Sequence, residues 1–120
     1  MRPWPLALAL MLGAAFSAPE LARSQPAISN QELADRSWMV ERAATLNCEL
    51  KKGQISSSRQ LRNTLRKDFQ ERGLDHLLPW SSSNNAAVAV KLIERRLDED
   101  CQIDEAERMA LNQDIWKYIK

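Results

Sequence analysis

The chain has 120 residues, room for one domain. Apolar residues make up 44% and charged residues 28%, an ordinary globular composition that argues against a disordered chain. A formal net charge of +1 excludes a strongly basic nucleic-acid binder, and three glycines with few aromatics disfavour an all-β sandwich.

Residues 1–24 read as a cleaved secretory signal peptide. Arg2 supplies the positive start, and Leu6 to Phe16 is an uncharged, mostly apolar run. That run is too short to span a bilayer, which takes about 20 residues. Small-x-small patterns follow at Ala15-Phe16-Ser17 and Ala22-Arg23-Ser24. The expected product is an exported chain, periplasmic or secreted, whose domain is residues 25–120 and which keeps no transmembrane segment. Losing the leader leaves 15 basic and 15 acidic residues, so the mature chain is neutral overall.

The mature chain reads as all-α, a small bundle of three to four helices. Ser29 with Glu32 three residues on is a capping box, and it opens a helix to about Lys52 with Gly53 as its C′ residue. Leu33, Met39, Val40, Ala43, Ala44, Leu46, Cys48 and Leu50 fall in one broad arc. Arg36 and Asn47 lie inside that arc and must find partners, while Trp38 lies outside it. Ser56 to Ser58 form a loop and a second N-cap. The next helix, Arg59 to Arg72, carries Leu61, Leu65 and Phe69 as a narrow stripe. Gly73 closes it, with Leu74 placed to touch Phe69 in a Schellman ending. Pro79 is expected to stop the short segment that follows. Ser81 to Asn84 start a third helix, Ala86 to about Asp100, and Asp104 with Glu107 starts a fourth that carries Met109, Leu111, Ile115, Trp116 and Ile119.

Export decides how the cysteines read. Cys48 and Cys101 are the only two, and in an oxidising compartment an even pair forms a disulfide. Closing about half the chain in one loop is worth roughly 4 kcal/mol in the chain-entropy model. There is no Cys-x-x-Cys to suggest redox work.

Catalytic and metal chemistry find little support. Asp98 to Asp104 begins like a calcium loop, but Ile103 stands where the sharp turn needs Gly and Met109 where a bidentate carboxylate is needed. His76 has no second His or Cys pair near it for zinc. The serines follow no nucleophile-elbow pattern and serve as caps. No catalytic residue, metal ligand or cofactor site is named, and the chain does not read as an enzyme.

Charge is less evenly spread than the total suggests. Lys51 to Arg72 holds seven basic residues against Asp68 and Glu71, while Glu94 to Glu107 holds seven acidic residues against Arg95 and Arg96. Arg59, Arg62 and Arg66 share one helix face. The two zones either face each other or leave a basic face for an acidic partner. Without aromatics among those arginines, nucleic-acid stacking is not supported.

The layout of Trp38, Cys48, Cys101 and Trp116-Lys117 resembles that of acid-activated periplasmic chaperones, short helical exported chains with two distant cysteines. That resemblance implies a stress holdase. The residues themselves lead to a different expectation, a protein-interaction module whose partner is another protein, met through Arg59, Arg62 and Arg66.

Overall fold

The structure, a computed structural model, describes residues 28–120. The signal-peptide reading lies outside the described residues. Those residues form five α-helices: α1 (Asn30–Lys51), α2 (Ser58–Glu71), α3 (Leu78–Ser81), α4 (Asn84–Glu94) and α5 (Arg108–Ile119). Two 3-10 turns, Asp75–Leu77 and Glu105–Glu107, lead into α3 and α5. The architecture is helical as expected, with one helix more than the bundle of three to four. The extra one is α3, a single turn. Pro79 does not stop the chain there; it sits in the first turn of α3, where no N–H is needed for the helix.

Local chemistry fixes most boundaries. The hydroxyls of Ser29, Ser57 and Ser83 accept from the backbone N–H of Glu32, Gln60 and Ala86 at 3.1, 3.1 and 3.2 Å, capping α1, α2 and α4. The Glu32 carboxylate does not complete its capping box; it holds Arg36 instead. Two helices end alike. Gly53 and Gly73 take φ of +80° and +70°, a region where a Cβ is costly. After α2, the N–H of Leu74 donates to the carbonyl of Phe69 and that of Gly73 to Gln70, at 2.8 and 3.0 Å. Phe69 and Leu74 then share a buried cluster, as the Schellman pattern requires.

α4 ends at Glu94, well short of Asp100. The helix-forming run from Lys91 to Leu97 is overridden by a small hairpin. Leu97 bridges Ile103, and the N–H of Asp98 donates to the carbonyl of Gln102 at 2.9 Å. Cys101, at φ +60°, turns the loop. The Asp98 carboxylate accepts from the N–H of Asp100 and of Gln102 at 2.8 and 3.0 Å, an arrangement that competes with helix. α5 also starts later than expected. Asp104 caps only the 3-10 turn, through the N–H of Ala106, and Glu107 turns to Arg96.

α1 is the central element. Along one flank, Val40 and Ala44 meet Ala86, Ala89 and Ile93 of α4 and Leu111, Ile115 and Ile119 of α5. Small side chains at the α1–α4 contact let the two backbones approach closely, and burial of each larger one contributes about 1.5–3 kcal/mol. Cys48 of α1 joins Cys101 across this flank, Cα atoms 5.8 Å apart, closing a loop of sequence separation 53. Along the other flank, Met39 packs on Phe69, Leu74 and Leu77, and Leu46 on Ile55 and Leu61. Trp38 belongs here too. It lies outside the apolar arc of α1 but meets Phe69 edge-on, ring centroids 5.9 Å apart, with the Arg72 guanidinium 4.2 Å above it. Arg36 and Asn47 find their partners: Arg36 donates to the Ile119 carbonyl at 2.9 Å and lies over Trp80, and Asn47 donates to Glu94 at 3.0 Å. No helix among the described residues is long and apolar enough to cross a membrane.

Candidate functional site

Of the nine arginines among the described residues, four pair with carboxylates, three form a row on α2, Arg72 lies over Trp38 and Arg95 is exposed without a carboxylate partner. Arg36, Arg42, Arg96 and Arg108 each pair with a carboxylate: Glu32, Asp68, Glu107 with Asp114, and Glu41 with Glu105. The Glu41 hydrogen bond raises the Arg108 guanidinium above its ordinary value, against burial, which lowers it. Arg59, Arg62 and Arg66 are exposed on α2, and no carboxylate among the described residues pairs with them. Asp68, the nearest acidic residue along α2, is taken by Arg42 at 2.7 Å.

The structure therefore resolves how the two charged zones relate. One ion pair joins them among the described residues, Lys51 to Glu94 at 2.9 Å. Glu94 reaches α1, where Asn47 and Lys51 donate to its carboxylate. Asp98 spends its carboxylate on the hairpin backbone. The basic row on α2 stays open to solvent.

The row borders a groove. Ala43 and Asn47 of α1 form its floor, Leu61 and Leu65 one wall, and Ala87 and Val90 the other, enclosing about 330 Å³. Lys91 and Glu94 stand on the α4 side. The side of α2 that faces the groove follows from helix geometry. Asp68 points toward Arg42, which lies on the flank of α1 turned away from Ala43 and Asn47. Beyond Leu65, in the opposite sense from Asp68, come Arg62 and Arg66, about 60° and 100° further round. Neither lines the groove, whose α2 wall is Leu61 and Leu65; helix geometry turns both toward its α2 side, with Arg59 farther out on the same face. The sequence places these arginines on one face; the groove beside them was not visible, since it needs α1, α2 and α4 together.

A second surface was misread from the sequence. Met109 and Trp116 were grouped with the apolar residues of the last helix, yet they are 75% and 49% exposed. Leu111, Ile115 and Ile119 fill the core, leaving Met109 and Trp116 on the outer side around a shallow hollow with Asn112 and Gln113. His76 is exposed in the 3-10 turn before α3. Among the described residues no group of three or more His, Cys, Asp or Glu side chains is gathered as a metal site would need. Both thiols are closed in the bridge. Comparisons with known protein families, curated proteins and solved structures return no match to the chain.

Proposed function

We propose that the protein is an exported interaction module that binds an acidic partner protein through Arg59, Arg62 and Arg66. One observation supports this reading above the rest: three exposed arginines without a carboxylate partner among the described residues share one face of α2, whereas Arg36, Arg42, Arg96 and Arg108 are matched to carboxylates and the remaining two, Arg72 and Arg95, lie elsewhere. Arg62 and Arg66, at i and i+4, repel each other, which costs a helix about 0.2–0.5 kcal/mol. A charge row that the fold does not use is suited to a complementary charge from outside. In this reading the chain is not an enzyme, needs no cofactor and binds no nucleic acid. The Cys48–Cys101 bridge is consistent with a periplasmic or secreted location, where disulfides persist.

The test is crosslinking capture from the native envelope fraction with wild type and with Arg59→Glu, Arg62→Glu and Arg66→Glu combined. The expected result is an acidic protein captured by wild type, released by added salt and lost in the variant, whose helical circular dichroism is unchanged. Equal capture by both overturns the reading. The holdase is the second reading. Three ties between helices, Arg42–Asp68, Lys51–Glu94 and Arg108–Glu41, each depend on a carboxylate, so acid would loosen them together. Protection of a client protein from aggregation at about pH 2–3 separates that reading from the first.

A further inference from the structure

We infer that the groove between α2 and α4 seats one amphipathic helix of the partner, its apolar stripe on the groove floor and its acidic residues against the basic rims. This rests on the acidic-partner reading above and adds the form the partner takes.

The walls of the groove are two helices and its floor a third. Their backbone groups are spent within the helices, and among the described residues the only extended pairing is the single bridge Leu97–Ile103. An extended peptide therefore has no strand edge to join, whereas a helix can lay an apolar face between two others. The lining suits close approach. Ala43 and Ala87 present single methyl groups, and Leu61, Leu65 and Val90 offer apolar contact on either side. A leucine-sized side chain seated here loses apolar surface to water, which favours binding.

The rims supply the sign. Helix geometry turns Arg62 and Arg66 toward the α2 side of the groove, just outside its lining, and Lys91 lines the α4 side; all three are exposed. Glu94 is the one carboxylate lining the groove, and it is answered by Lys51 at 2.9 Å and Asn47 at 3.0 Å. Both edges therefore present net positive charge to whatever lies between them. A helix with apolar residues at i, i+3, i+4 and i+7 and acidic residues flanking that stripe meets both requirements at once. An acidic chain without the stripe meets only the second.

The experiment compares two synthetic helical peptides of identical composition and charge, one with leucines on a single face flanked by glutamates, the other with the same residues scrambled. Affinity is measured by fluorescence anisotropy against the intact protein and against Ala87→Trp. Ala87 is exposed, so the substitution fills the groove without emptying the core. The amphipathic peptide is expected to bind wild type about tenfold or more tighter than the scrambled one. Ala87→Trp is expected to erase that difference and leave the weak, salt-sensitive binding of the scrambled peptide unchanged.

Equal binding of both peptides to wild type overturns the groove proposal and leaves the acidic-partner reading standing. Binding of neither overturns both. An uncharged amphipathic peptide that binds as tightly as the acidic one overturns the assigned chemistry. A dimer in sedimentation velocity that Ala87→Trp abolishes gives the groove to a second copy, and binding to anionic vesicles lost in the same variant gives it to a membrane; either result overturns the proposal.

Discussion

α1 serves two packings that differ in kind. On the α4–α5 flank, one continuous buried cluster draws on three helices, and a disulfide and the Arg36–Ile119 hydrogen bond cross it. On the α2 flank, burial is divided between two smaller clusters with one charged tie, Arg42–Asp68. Covalent closure and shared burial make the first flank the more continuously held of the two. The second is held by the rings and leucines of a single hairpin, and it carries the open arginines. Binding surfaces are drawn from the less stable parts of a fold, and the proposed reading places the partner on α2, the flank with divided burial.

The largest expected effect is Phe69→Ala, which empties the centre of the α2 flank. It should cost about 3–5 kcal/mol in urea unfolding. Hydrogen exchange sharpens the comparison: amides of α2 should lose protection while those of α4 and α5 keep theirs. Uniform loss across all helices would break the division into two flanks.

Next comes the bridge. Cys48→Ser should lower stability by about 2–5 kcal/mol, and here the loss of protection should centre on the hairpin from Leu97 to Ile103 and on α5. Two reactive thiols in the untreated native protein would contradict the bridge itself.

The smallest effect belongs to the charged tie. Arg42→Ala should cost about 0.2–1 kcal/mol, because both partners are partly exposed and water screens the pair. A cost as large as that of Phe69→Ala would mean that charge, not burial, holds α2 in place.

What the sequence makes legible follows from range. The Ser29, Ser57 and Ser83 caps and the Gly53 and Gly73 endings are settled within a few residues, so they can be read directly. The bridge could be read because only one pairing exists. The end of α4 could not, because helix propensity in Lys91 to Leu97 competes with a hairpin whose partner strand lies beyond Cys101. The cover of Trp38 was out of reach for the same reason: its helix position points away from the main arc, and Phe69 and Arg72 return from α2 and its C-cap to meet it. The arginine row was legible as a row, but whether it was neutralised depended on where Asp68 and Glu94 went. Asp68 turned to α1 rather than to its neighbours on α2, and Glu94 turned to Asn47 and Lys51 of α1.

The hydrogen bond from Arg36 to the carbonyl of Ile119 joins positions 83 apart in the chain. A polypeptide is made from its N-terminal side first. α1 therefore emerges with its α4–α5 flank bare and its guanidinium without that acceptor, and it stays so until Ile119 has followed. The hairpin with α2 is available far sooner. The order of synthesis thus separates in time what packing separates in space: the flank with divided burial is complete first, and the flank closed by the disulfide follows.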